Sequence, residues 1–179
     1  FFFFLFVRIS TNAESDKSKA NQKMRAMETI EGFSNSHPEW HIRVYSTPAG
    51  LRMLAMHDVF TVDEAMEFFA ELGADYRYMN MCRIQDCFRA RISPKPWRIG
   101  LKDDEVRIHP QGVSGLWPVD EEHLNERNKW IRKYENQCEA FASCHYERSF
   151  GSKVTHPKAE KVRKIHDEFC KVHSHLQIA

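Results

Sequence analysis

The chain has no apolar run able to cross a bilayer. Its opening stretch, Phe1 to Val7, holds seven residues, where a spanning helix needs about 20. It has no excess of charge: 26 basic against 25 acidic side chains leave +1, which excludes a globally basic nucleic-acid or membrane binder. Glycine and proline number only 7 each, too few for a collagen-like or low-complexity chain. Five cysteines, an odd number without a dense framework, fit a reducing, cytoplasmic compartment better than a secreted disulfide scaffold. There is no Walker lysine loop, no GxGxxG and no nucleophile elbow.

Metal-site spacing is also missing. Four residues separate Cys82 from Cys87, and five separate Cys138 from Cys144, which His145 follows; zinc knuckles usually place two to four between cysteines. His166-Asp167, His173 and His175 come with no HExxH and no paired acid motif. The expectation is buried thiols, no metal and no cofactor.

What is present is a core. Apolar residues make up 42% and aromatics 12% of 179 residues, enough for one domain or a small domain with a helical appendix. The opening Phe1–Val7 run admits two readings. Phe and Val favour a buried strand. The basic residues that follow (Arg8, Lys17, Lys19, Lys23, Arg25), diluted by Glu14 and Asp16, also suit the end of a membrane helix that upstream residues would have to complete. Only in that case is a membrane partner, and a place on its cytoplasmic face, expected.

Apolar residues at helical spacing (Ala20, Met24, Met27, Ile30, Phe33) predict a first helix, ended by Gly32 and the Ser34–Pro38 cluster. Trp40, Ile42 and Val44 then alternate with His41, Arg43 and Tyr45, and Thr47-Pro48-Ala49-Gly50 is turn chemistry, so Leu51 to His57 is the returning strand. Thr61 and Glu64 make a capping box for a second helix with Ala65, Phe68, Phe69 and Leu72 on its stripe, stopped at Gly73. Tyr76 to Ile84 is ambiguous between a short helix and a loop. Phe88 to Ile92 alternates again and predicts a strand ending at Ser93-Pro94-Lys95-Pro96-Trp97.

The order strand, helix, strand, strand, helix, strand predicts an α+β fold. The expected form is a ferredoxin-like, split βαβ, RRM-like antiparallel sheet over residues 1–100. Residues 101–122 are an acidic Pro/Gly connector, with six acids against two bases. Residues 123–179 predict a C-terminal helical hairpin packed on the first domain. Its first helix carries Leu124, Ile131, Tyr134, Cys138 and Phe141, and its second carries Val162, Ile165, Phe169, Val172 and Leu176 on one stripe.

The near-zero total charge hides a gradient. Residues 83–102 carry six bases (Arg83, Arg89, Arg91, Lys95, Arg98, Lys102) against Asp86 alone, and residues 123–179 hold eleven bases against seven acids. With 47–50 as the loop, Val44 faces Met53 and Ile42 faces Ala55 on the helix-covered side. His41, Arg43, Tyr45 and Arg52 then collect on the other, with Leu54 and Met56. Arg89 and Arg91 share that open face, and Arg8 can join them. Guanidinium groups interleaved with an aromatic suit phosphate and bases. Lys95 and Arg98 on a stiff loop suit an anion clamp. The candidate ligand-binding set is therefore Arg43, Tyr45, Arg52, Arg89, Arg91, Lys95 and Arg98. The competing role for the same arginines is internal ion pairing beneath the C-terminal helices, with Trp97 stapling those helices to the loop.

At Arg43-Val44-Tyr45-Ser46-Thr47-Pro48-Ala49-Gly50-Leu51-Arg52 and at Phe88 to Arg98, the chain resembles a bacterial protein family of uncharacterised function. More distantly, the stretch from Thr47 to His57 is similar to the RRM-like core of primase-polymerases. That resemblance implies paired aspartates for two metals near the early strands, where this chain reads Val7-Arg8-Ile9-Ser10-Thr11-Asn12. Two-metal chemistry needs those carboxylates, so the resemblance implies a copy without nucleotidyl transfer.

Three functions remain. The first is a non-catalytic module binding a phosphate-bearing ligand, nucleic acid or nucleotide, on the arginine-rich face. The second is a protein-interaction or membrane-proximal structural domain. The third is an enzyme on a phosphorylated or carboxylated small molecule, with His57 or His41 as acid/base.

Overall fold

The computed structural model describes residues 6–10, 16–101 and 121–179. Pro48 and Ala49 turn strand β2 (His41–Thr47) back on strand β3 (Gly50–Ala55). The register pairs Val44 with Met53 and Ile42 with Ala55, as the alternation predicts. Strand β1 (Phe6–Ser10) lies antiparallel on the far side of β3, with Arg8 opposite Arg52. Phe6 and Val7 therefore belong to a strand; Phe1 to Leu5 lie outside the described residues, as does the connector from 102 to 120.

Helix α1 (Asp16–Ser36) runs through Gly32. It buries Ala26, Ile30 and Phe33, while Met24 is exposed. Helix α2 (Val62–Glu71) starts at the capping box, where Thr61 Oγ1 accepts from Glu64 N–H and the Glu64 carboxylate accepts from Thr61 N–H. Helix α3 (Tyr76–Gln85), capped by Asp75, resolves the ambiguous segment. Among the described residues, no helix is long and apolar enough to cross a membrane.

The architecture is α+β, but two expected features are corrected. Phe88 to Ile92 joins no sheet; side-chain hydroxyls reach the carbonyls at its end and in the loop that follows. Ser143 Oγ donates to Ile92 O at 2.9 Å and Tyr134 Oη donates to Pro94 O at 2.6 Å. The fourth strand comes from the C-terminal third, so this region is not a simple helical hairpin. Helix α4 (Glu121–Cys138) is followed by a short strand β4 (Phe141–Ala142) and by β5 (His145–Gly151). Strand β5 pairs antiparallel with β2, giving the sheet order β1-β3-β2-β5. Helix α5 (Pro157–Cys170) and strand β6 (Gln177–Ile178), parallel to β4, complete the chain.

A bulge between Val44 and Tyr45 shifts the β2–β5 register. Beyond it β5 ends at Gly151, which has a positive φ of 72° and where an added Cβ would run into the Trp40 carbonyl. Ile42, Val44, Met53 and Ala55 are buried in one core with Ala26, Ile30 and Phe33 of α1 and Val62, Ala65 and Phe69 of α2. Trp40, Phe33, Phe60 and Phe68 form an aromatic cluster at one end of that core. Ile99 and Leu101 pack with Trp130, Tyr134, Cys138 and Phe141 in a second, smaller core. These residues, and not Trp97, fasten α4 to the loop; Trp97 is 54% exposed beneath Lys95.

Helix α5 overturns the apolar stripe expected of it. Ile165 and Phe169 are 54% and 60% exposed, whereas Ala159, His166, Asp167 and Cys170 face inward. A polar inner face is stable only when its groups find partners. The face of β2 and β3 that carries Arg43, Tyr45 and Arg52 supplies them.

Candidate anion cleft and buried thiol–histidine cluster

The two motifs that stand out in the sequence meet in space. The β2–β3 turn (Thr47, Pro48, Ala49) and the segment from Arg89 to Arg98 line one cleft of about 560 Å³, with Tyr78 and Met81 of α3 and Ser143 at its walls. Its cationic side chains are Arg52, Arg89, Arg91, Lys95 and Arg98, and among the described residues no aspartate or glutamate lines it. The loop that presents them is held by its backbone. Phe88 anchors one end edge-on to Phe69, the Pro96–Arg98 turn folds the other, and the Ser143 and Tyr134 hydroxyls hold the carbonyls between. The side chains of Arg89 and Arg91 stay exposed, and neither forms an ion pair among the described residues.

Arg43 and Tyr45 are not in this cleft. The sheet face expected to be open is covered by α5, and both residues are committed to its Asp167. Arg43 Nη2 donates to Asp167 Oδ2 at 3.0 Å, and Tyr45 Oη donates to Asp167 Oδ1 at 2.8 Å. Arg163 Nη1 adds a third bond at 2.9 Å. Burial would raise the Asp167 carboxyl, but hydrogen bonds from His166 and Tyr45 and the charge of Arg43 hold it below the usual carboxylate range. Burial pushes the Tyr45 phenol up. Arg43 also lies over the Tyr146 ring at 4.3 Å. For these two residues the structural role is the observed one, because a buried carboxylate needs cations and donors around it.

Arg52 belongs to both regions. It lines the cleft, and its Nη1 reaches under α5 to His166 Nε2 at 2.8 Å, with Cys144 Sγ at 3.7 Å and Cys170 Sγ at 3.8 Å. A guanidinium can only donate, so Nε2 accepts and Nδ1 carries the proton to Asp167 Oδ1 at 3.0 Å. The Cys144 and Cys170 sulfurs lie side by side, within 4.8 Å of each other. Hydrogen bonding with Cys144 and the Arg52 charge pull the Cys170 thiol below its ordinary value against its burial. The same hydrogen bonding, with burial, pushes Cys144 up. Cys144 and Cys170 are fully buried and His166 is 2% exposed.

The sequence does not single out Cys144, His166 or Cys170 as a set. The available signal is the spacing of His166 and Cys170, four residues apart and so on one helix face. Their third partner lies far back in the chain. His41 and His57, the acid/base candidates, lie away from the cleft. His41 Nδ1 is bonded to Val154 O at 3.0 Å, and the His57 ring packs on Trp40. No protein-family model, curated protein or solved structure matches the chain.

Proposed function

We propose that this protein binds a small phosphate-bearing ligand, of nucleotide size, in the cleft between the β2–β3 turn and the 89–98 loop. The observation that carries the reading is five cationic side chains converging on one cavity, with no acidic side chain in its lining among the described residues. Pockets of about 300–1,000 Å³ take small molecules, which favours a nucleotide-scale ligand over a nucleic-acid strand laid on a sheet. Arginine forks match phosphate oxygens two at a time, and Met81, Ala90 and Ile92 give the cavity an apolar wall for the rest of the ligand. With β3 between β1 and β2, we read the first half of the fold as a split βαβ unit of the ferredoxin-like kind. The cleft lies beside its hairpin turn.

Titration with a fluorescent nucleoside triphosphate tests the reading. Binding should weaken steeply as salt rises. The double variant Arg89→Ala/Arg91→Ala should fold as the wild type does and bind at least about tenfold more weakly, a loss of about 1.4 kcal/mol or more. Equal affinity in the folded variant would end the proposal.

A further inference from the structure

The cluster beneath α5 has the donor set of a metal centre. His166 and Cys170 are one turn apart on the helix, and Cys144 comes from the connection between β4 and β5. The Cys144 and Cys170 sulfurs and an imidazole nitrogen of His166 all lie within 4.8 Å of one another. Cys144 Sγ and His166 Nε2 are 3.8 Å apart. A tetrahedral ion at the usual zinc–sulfur distance of about 2.3 Å sets its ligands about 3.8 Å apart.

His166 is also oriented as a ligand. Asp167 accepts the Nδ1 proton at 3.0 Å, which leaves the Nε2 lone pair directed to the sulfur side. A carboxylate behind a histidine fixes the tautomer and ring plane in this way at metal centres. Asp167 is itself held by Tyr45, Arg43 and Arg163, so the ring has little freedom to turn.

We propose that Cys144, His166 and Cys170 form a binding site for a zinc-type divalent cation, with its fourth position on the side where Arg52 stands. Two sulfurs and one imidazole, with no oxygen donor among the three, select zinc over magnesium or calcium. The guanidinium supplies the positive charge that this buried set requires. Nη1 is 2.8, 3.7 and 3.8 Å from the three donors, so it caps them on one side. Two cations cannot share that volume. When the ion enters, Arg52 swings into the cleft that it already lines, and the open coordination position faces the same cleft. The site stands on its own donors and does not depend on the anion reading.

The test is cobalt substitution in the full chain, purified and stripped with a chelator. Adding Co²⁺ should produce one equivalent of thiolate-to-cobalt charge-transfer absorption with the intense visible bands of a four-coordinate ion, and Zn²⁺ should abolish both. Cys144→Ser/Cys170→Ser should lose the charge-transfer band, and Cys87→Ser should keep it. Should the double variant fail to fold, X-ray absorption of the zinc-loaded wild type decides the question: two sulfur ligands and one imidazole are expected. Absence of the cobalt band in the wild type, or a zinc shell without sulfur, overturns the site. Nucleotide binding followed in the same samples reports on the cleft separately, since its loss leaves the cobalt bands in place.

Discussion

Arg52 Nη1 donates to His166 Nε2 at 2.8 Å, joining the hairpin's second strand to the last helix through a charged side chain. The strand partner of Arg52 across the hairpin is Tyr45, which is bound to Asp167, the residue after His166. Two neighbouring residues of the sheet thus hold two neighbouring residues of α5. The helix is positioned by polar bonds whose loss leaves buried groups unsatisfied, and such bonds fix one orientation where apolar contact alone would allow several.

Tyr45→Phe removes the 2.8 Å bond to Asp167 and the acceptor for Arg43 Nε at 2.9 Å. It should lower stability by about 1–2 kcal/mol. Urea unfolding followed by circular dichroism measures this, and an unchanged midpoint would mean that the network does not hold α5.

His41 and His57 both have pKa values lowered from the ordinary imidazole value, chiefly by burial. A depressed folded-state value means that the unfolded chain binds protons first. The stabilisation is complete above the unfolded pKa of about 6.5 and is lost as pH falls through the folded values. The contribution of these two histidines to the urea midpoint should therefore fall between about pH 7 and pH 5, read as the loss of wild-type stability relative to His57→Gln over that window.

Gly151 closes β5 with φ at 72°, and a Cβ there would overlap the Trp40 carbonyl oxygen. Gly151→Ala combines left-handed strain with that clash and should cost about 1–3 kcal/mol or more. Thermal unfolding would show a lowered midpoint. A neutral substitution would mean that the β5 end relaxes freely.

The Tyr134 hydroxyl lies 2.6 Å from Pro94 O, to which it donates, and 2.8 Å from Ser93 Oγ. Tyr134→Phe should cost only about 1 kcal/mol of stability yet weaken nucleotide binding, because the loop bearing Arg91, Lys95 and Arg98 loses a brace. Unchanged affinity would show that the loop keeps its shape without α4.

Much of the local structure was legible from the residues. The turn at Pro48-Ala49, the pairing of Val44 with Met53 and the Thr61–Glu64 capping box depend on near neighbours and a fixed period, and so does the extent of α2, whereas α1 runs on through Gly32. Five of the seven expected ligand residues meet in one cleft, because the turn and the proline-flanked loop carry their cations wherever they lie. The strand expected at Phe88 to Ile92 did not form, since alternation marks an extended chain but not its hydrogen-bond partner. Helix α5 misled for the opposite reason: its apolar stripe is real, but Ile165 and Phe169 face outward.

The amino-acid order by itself determined the hairpin, its register, the two early helices and the composition of the cationic loop, because each rests on contacts within a few residues. Tertiary structure alone decided which face of the sheet α5 covers, that β5 rather than 88–92 completes the sheet, and that Cys144 comes within 3.8 Å of His166. Those outcomes join residues far apart in the chain. They are set by which buried charges and donors find partners, a balance that no local periodicity encodes.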